Sequence, residues 1–405
     1  MRFELLRKYD HRFWILSVGW LASSMGFAVA IPFISIYFHS QLGVSLSQIG
    51  IFFGMAGIVR AISQAFGGEL SDRVGRYHLM VLAQLLRAFT LLSIAYAIYA
   101  HWGFYQIGAT ILISFIVGSV FQPAANAAVA DLVKAHDRLE GYAIIRVTDN
   151  LGWALGPALG GYLANSSYAI LFIISAVLTF ISGVILGIFL RGIKTYDGNG
   201  KTSGLKELLS MRGNRAILIY AGLVFVLYLV IGQMIAPFSL YSVDFKGISK
   251  TQLGFLFTIN GLAVTFLQVP ITRFLRKTPL STQLALGSLI YAIGYLSIGI
   301  SSTFHLFILA FIIITIGENF VSPAALSIAA NLAPHGQVGR YMGIYGFAVS
   351  AGWSLGPLLG GILLDWTKPD FIYMWGIIAF LAVIAAAGFK KLAHYLPKEL
   401  NIYRK

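Results

Sequence analysis

Long apolar runs, separated by short clusters of charge and turn residues, set the pattern of this chain. A helix that crosses the hydrocarbon core of a bilayer needs about 20 predominantly apolar residues. Twelve such runs can be marked, at 13–38, 46–69, 78–100, 103–130, 139–164, 168–190, 214–240, 250–273, 280–301, 303–330, 338–364 and 370–392. Six precede the polar stretch 191–213 and six follow it. That stretch is Gly-rich in its middle and reads as a linker. The pattern predicts an all-α integral membrane protein of twelve transmembrane helices, in two six-helix bundles over 1–190 and 214–405.

A repeat relates the two halves. GWALGPALGG at 152–161 recurs as GWSLGPLLGG at 352–361, an offset of 200 residues. The same offset carries Pro123-Ala124-Ala125 onto Pro323-Ala324-Ala325, and Ala130 and Leu132 onto Ala330 and Leu332. Span 4 thus maps onto span 10 and span 5 onto span 11. Six spans is an even number, so both halves thread the membrane in one sense. They are parallel repeats about an axis along the membrane normal, not inverted ones. A half-protein repeat unit is far longer than a solenoid's. A duplicated apolar chain of this size points to a two-halved transporter.

Composition agrees: 58% of residues are hydrophobic and only 11% charged, more apolar surface than a soluble chain of 405 residues could hide. The absence of cysteine excludes disulfides, thiolate nucleophiles and Cys-based metal sites. The eight histidines have no HxxxH or HExxH spacing, so neither a metal nor a cofactor is expected. The net charge of +14 raises the question of nucleic acid, but its distribution answers it. With the N-terminus placed in the cytoplasm, 23 of the 29 Lys and Arg fall in cytoplasmic segments, the positive-inside pattern. Lys246, Lys250 and Lys368 lie opposite, and Arg60, Arg87 and Arg146 lie inside spans. Both termini are then cytoplasmic, and the expected location is the plasma membrane, with lipid and not nucleic acid as the partner. The basic N-terminus resembles a signal n-region, but the apolar run after it is too long for an h-region and reads as a span.

Two motifs carry a family resemblance. The loop after span 2 reads Gly67-Gly68-Glu69-Leu70-Ser71-Asp72-Arg73-Val74-Gly75-Arg76. Gly68, Asp72, Arg73, Gly75 and Arg76 match the loop signature of the major facilitator superfamily, G-x-x-x-D-R-x-G-R. The repeated run, at Gly152, Gly156, Pro157, Gly160 and Gly161, resembles the superfamily's fifth-helix antiporter motif. Its second copy stands at Gly352, Gly356, Pro357, Gly360 and Gly361. The resemblance covers the whole chain and implies the major facilitator fold of two pseudo-symmetric bundles. It also implies a secondary transporter, not an enzyme, with no catalytic residues to assign. The loop after span 8, around Arg273, Arg276 and Lys277, keeps the charge but not the Asp and glycines. Ser114 stands where the family's helix-4 motif has an Arg, four residues before Gly118. In the family, Asp72 would act as a latch against the start of helix 11, near 336–340.

Within the superfamily the chain looks most like the twelve-helix proton-coupled multidrug antiporters of the lactococcal multidrug permease type. Those carry a carboxylate before the helix-5 glycines and another in helix 10, and Asp149 and Glu318 stand there. Each lies about ten or more residues into its span, roughly 15 Å along a helix. An ionised carboxylate at that depth costs several kcal/mol unless paired or wet. Such a group can accept a proton under working conditions, which is what proton coupling requires. The plainer reading of Asp149 is a structural ion pair with Arg146, three residues earlier on the same face. The plainer reading of Glu318 is an acid satisfied by a carbonyl or a water. The second-half counterparts of Arg146 and Asp149 are Gly346 and Val349, so the duplication itself does not demand the pair.

The glycines at four-residue spacing permit close helix packing, and Pro157 and Pro357 each remove a helix hydrogen bond. Helices 1, 4, 7 and 10 line the cavity in the family. Candidates on them are Trp20, Ser24, Phe27, Gln122, Asn126, Tyr228, Gln233, Met234, Glu318 and Asn319. Arg60 and Arg87 receive no substrate role. An aromatic, amide and Met lining suits lipophilic, often cationic, compounds better than polyanions, which would want several Arg. The expected activity is proton-coupled efflux of such compounds by a monomer. A carrier of sugars, metabolites or lipids is the alternative. A channel or membrane enzyme is remote, with no filter sequence or nucleophile–base pair in support.

Overall fold

A computed structural model of the chain describes residues 8–134, 137–190, 215–334 and 338–402, with backbone alone at 65, 68, 69, 72, 139 and 338–340. The linker expected at 191–213 lies outside the described residues, as does much of the partner proposed for Asp72 at 336–340. Every described span is helical, and no strand occurs among the described residues. Among the described residues, eleven helical segments are long and apolar enough to cross a membrane. The remaining expected span, the fifth, is the 26-residue helix Arg138–Leu163. It is long enough, but Arg146, Asp149, Asn150 and its glycines dilute its hydropathy. The charge that weakens it as a membrane signal is the charge that the site uses.

Two spans depart from the continuous helices that the sequence predicts. Span 4 breaks at Val120, between Phe104–Ser119 and Phe121–Leu132. Pro123 has no N–H for the carbonyl of Ser119, and Gly118 beside it is a poor helix former. Span 10 keeps Pro323 at the matching position, yet runs unbroken over Phe304–Asn331, with Glu318 in place of the glycine. Span 7 is helical over Arg215–Ile231, tightens to a 3-10 turn over Gly232–Met234, and resumes at Ala236–Leu240 before a wide π turn, Tyr241–Phe245. There Pro237 removes the hydrogen bond to the carbonyl of Gln233.

Contacts divide the chain into two compact units: Met1–Gly43 with Ile58–Gly200 and Ser249–Gly261, and Val44–Gly57 with Lys201–Ile248 and Leu262–Lys405. The start of span 2 (Leu46–Val74) therefore belongs to the second unit, and the start of span 8 (Lys250–Phe274) to the first. The main helix pairs follow the repeat. In the first unit span 1 (His11–Ser40) packs on spans 5 and 6, and span 3 (Arg76–Tyr99) on spans 4 and 6. In the second, span 7 packs on spans 11 and 12, and span 9 (Leu280–Ile300) on spans 10 and 12.

Lipid is as apolar as leucine, so helices in it gain little from apolar burial and associate through close packing and polar contacts. The repeated glycines supply that packing. A Cβ on Gly152 would stand 2.6 Å from the Cβ of Ser24, and one on Gly352 2.6 Å from the Cβ of Tyr228. Farther along, Gly160 meets Val29 and Phe33 of span 1, while Gly360 meets Gln233 and Pro237 of span 7. The segments exchanged between units use the same device: Gly254 lies against Pro157, and Gly50 against Pro357.

Polar groups fasten several helix ends. Asp365 accepts hydrogen bonds from the backbone N–H (2.7 Å) and hydroxyl (2.6 Å) of Ser47, at the start of span 2. At the pseudo-equivalent place, Asn165 donates to the Thr251 hydroxyl at 2.9 Å. Gly75 takes φ +91° in the tight turn between spans 2 and 3, a conformation a side chain would strain. That turn aims Arg76 at the carbonyl of Ala127 (2.9 Å) and at the Asp131 carboxylate, both in span 4. Lys8 pairs with Asp137 at 2.8 Å and with Glu140, and these two carboxylates hold its ammonium above the usual lysine range. Arg73 is exposed.

A candidate binding cavity in the first unit

Spans 1 to 5 of the first unit line a cavity of about 130 Å³. Asp149 stands on its wall, one turn before Trp153 and Gly152 of span 5. Gly152 brings span 1 close enough for two donors to reach the carboxylate: the Trp20 indole N–H, at 3.1 Å, and the Ser24 hydroxyl. Hydrogen bonds to a charged group are worth about 1.5–3 kcal/mol each. Together they fix the carboxylate's position and ease its charge in a low-dielectric setting. Arg60, from span 2, also lines the cavity and interacts electrostatically with Asp149. Arg146, expected as the ion-pair partner, is exposed on the same helix, and the hydrogen bonds to Asp149 come instead from span 1.

Aromatic rings make up much of the remaining wall: Trp20, Phe27, Phe115, Phe121 and Trp153. Phe27 is central to it. The guanidinium carbons of Arg60 and Arg87 lie 5.8 and 5.0 Å from its ring centroid, within cation–π range. Gly118 makes the room: a Cβ there would stand 2.7 Å from the Arg87 Nε. The helix-4 position with Ser114 in place of the family's arginine thus lies in the same span as a glycine that admits an arginine from span 3. On the polar side, the Gln64 amide donates to the Gln122 side-chain oxygen at 3.0 Å, joining spans 2 and 4.

The structure brings together Trp20, Ser24, Phe27, Gln122 and Asp149 from the residues that the sequence singles out. It adds Arg60, Gln64, Arg87, Phe115 and Trp153. One signal for the two arginines was in the sequence: with Arg146 they are the basic residues that stand well away from the ends of the expected spans. Asn126 is half-buried, and its carbonyl accepts from Tyr142 at 3.0 Å.

The second unit treats the corresponding positions differently. Tyr228, which faces Gly352 as Ser24 faces Gly152, has its hydroxyl 3.4 Å from that of Tyr345. Gln233 is fully buried, its amide donating to the carbonyls of Leu229 (2.9 Å) and Gly356 (2.7 Å), and Met234 is buried beside it. Asn319 is fully buried as well, donating to the Thr315 carbonyl at 2.9 Å. These amides donate to backbone carbonyls, of their own helix for Asn319 and of both spans 7 and 11 for Gln233. Glu318 is half-buried and couples electrostatically to Tyr295 of span 9. Among the described residues no group of three or more His, Asp or Glu is placed to hold a metal.

Comparison with known proteins gives the family. The model of the Major Facilitator Superfamily matches residues 16–279 and 223–401, and the chain belongs to that superfamily. It is 32% identical over 357 residues to the uncharacterized MFS-type transporter YttB of Bacillus subtilis (strain 168), covering 87% of this chain and 88% of that one. It is 26% identical over 369 residues to the multidrug resistance protein MdtH of Klebsiella pneumoniae (strain 342), covering 89% and 90%. Among solved structures, a POT family transporter crystallised with a thioalcohol-conjugated peptide superposes with a TM-score of 0.79 at 14% identity, over 95% and 96% of the chains. A bacterial homologue of the human lysosomal transporter Spinster does so with a TM-score of 0.75 at 12% identity, over 97% and 98%. At these identities the structures speak to fold alone. The chain is a multi-pass membrane transporter with a small-molecule substrate, and not an enzyme.

Proposed function

We propose that this superfamily member is a proton-coupled exporter of lipophilic compounds, working by alternating access with Asp149 as the proton-binding group. The observation that carries the reading is the placement of Asp149, a carboxylate deep in a span that faces an aromatic cavity and is held by Trp20 and Ser24. A proton taken up there removes a charge from the cavity wall and loosens its hold on Arg60. The ligand and the titrating group share one space, so occupancy of one is felt by the other. The resemblance to a multidrug resistance protein supports the export of varied compounds.

In this reading Glu318 serves cationic compounds: Glu318→Gln weakens their export more than that of neutral ones. The two six-helix halves, 1–190 and 214–405, act as the moving bodies, joined by the linker at 191–213. The Asp72 loop biases the access states, since a carboxylate near a helix N-terminus gains only a modest amount. The transporter sits in the plasma membrane as a monomer, with both termini in the cytoplasm, where the positive-inside pattern puts them.

The test is transport by the purified protein in proteoliposomes with an imposed pH gradient. A panel of lipophilic dyes, neutral and cationic, is followed together with internal pH. The proposal expects saturable, substrate-dependent proton movement that collapses when the gradient is dissipated. Saturable transport indifferent to the gradient would remove the proton coupling. Conductance without saturation would indicate a channel instead.

A further inference from the structure

The cavity in the first unit holds more positive charge than negative. Arg60, Arg87 and Asp149 are its ionisable lining residues. Arg60 has Asp149 as its electrostatic partner. Arg87 has no such carboxylate: it is 92% buried on the 8% exposure that remains, and its Nε has no hydrogen-bond partner among the described residues. Its guanidinium rests on the face of Phe27 and beside Gly118. A cation–π contact recovers only part of what burying a guanidinium costs, because an uncompensated charge in a membrane protein loses its hydration with nothing equal in return. The ring contact therefore does not offset the burial, and the five-donor fork of an arginine is left with its hydrogen-bonding capacity largely open.

From this we infer that the cavity binds aromatic compounds that carry an anionic group, with Arg87 as the principal anion contact and Arg60 beside it. The inference rests on the reading of this cavity as the transport site, and it names a substrate class that the expected preference for cations would not include. The lining agrees with it: Trp20, Phe27, Phe115 and Trp153 offer aromatic rings to an aromatic group in a space of about 130 Å³. A planar carboxylate matches the guanidinium fork in a bidentate manner. Gln64 and Gln122, on the same wall, supply amide donors for a second oxygen. A cationic ligand would meet two like charges in this space and one carboxylate already held by two donors.

The experiment is equilibrium binding to the purified full-length protein with three matched probes: phenylacetate, its neutral methyl ester and the cation 2-phenylethylamine. Phenylacetate is expected to bind at least about ten-fold more tightly than either, the scale of one charge-assisted hydrogen bond. Arg87→Gln should bring the acid down to the ester's affinity, and Arg87→Lys should restore part of the preference, since it keeps the charge but loses the fork. Equal affinity for acid and ester in the wild-type protein would overturn the inference. A preference for the acid that persists in Arg87→Gln would do so too. So would displacement of phenylacetate by chloride or inorganic phosphate at equal concentration, because the charge would then serve an inorganic ion. Should Arg87→Gln fail to fold, the wild-type comparison of acid and ester decides alone. Failure here leaves the gradient-driven transport of neutral dyes untouched. Failure of that transport with the acid preference intact would remove the proton coupling and leave the anion site standing.

Discussion

Spans 5 and 11 come from one duplicated sequence and pack in one way, but they carry different chemistry. In both, glycines at four-residue intervals draw a neighbouring helix to backbone contact, span 1 in the first unit and span 7 in the second. At the positions just before those glycines the copies separate. Asp149, held by Trp20 and Ser24, has Val349 as its counterpart. Where Ser24 faces Gly152, Tyr228 faces Gly352, and its hydroxyl turns to another tyrosine. The first unit's version faces an aromatic cavity with two arginines on its wall, and in the second the amides of Gln233 and Asn319 are spent on backbone carbonyls. Packing and chemistry are therefore separable on one helix. Small residues must stay in both copies because nothing larger fits, while the positions one turn away are free to specialise.

Substitutions can break this comparison at either level. The largest effects belong to packing, and they should be equal in the two copies. Gly160→Val and Gly360→Val each drive a side chain into the facing helix, and overpacking of this kind costs about 1–3 kcal/mol or more. Both are expected to lower the thermal midpoint of the detergent-solubilised protein by several degrees. A large drop in only one copy would mean that the packing is not shared. The chemistry, by contrast, should be lopsided. Trp20→Phe removes one donor from Asp149 and should reduce gradient-driven transport about ten-fold, the value of a hydrogen bond to a charged group. Ser24→Ala should act in the same direction, with a similar or smaller loss. Proton-flux assays on both variants check this, and unchanged flux in both would remove the two donors from the account. The smallest effect is assigned to the second unit: Tyr228→Phe deletes a long 3.4 Å contact between hydroxyls and should change transport less than three-fold. A loss as large as that of Trp20→Phe would place part of the coupling in the second unit.

Much of this was legible in the chain itself. Twelve apolar runs suffice for the helices, because the membrane leaves the backbone few alternatives, and the 200-residue repeat announces the glycines that pack span 5 on span 1 and span 11 on span 7. Asp149 could be singled out because a carboxylate deep in a span is costly and therefore rare. The breaks in spans 4 and 7 were not legible. Pro123 and Pro323 are matched in sequence, and only the first interrupts its helix, since neighbouring Gly118 and packing decide whether a proline bends or breaks a span. Nor was the role of Arg60 and Arg87. Their positions inside spans were plain, but their meeting at the Phe27 ring depends on how spans 1, 2 and 3 are rotated against each other. Hydropathy carries no such information. The partner of Asp149 was missed for the same reason: a helical-face argument sees Arg146, three residues away, and cannot see Trp20 on another span.

If Asp149 of the first unit is the proton-coupling group, substrate-driven proton flux in proteoliposomes depends on it and not on its counterpart Val349. Wild-type protein, Asp149→Asn and Val349→Asn are reconstituted in parallel, with entrapped dye reporting internal pH and a labelled substrate reporting exchange. Asp149→Asn is expected to lose gradient-driven proton movement while still exchanging labelled for unlabelled substrate, and Val349→Asn to keep both. Full proton flux through Asp149→Asn would rule out Asp149 as the coupling group.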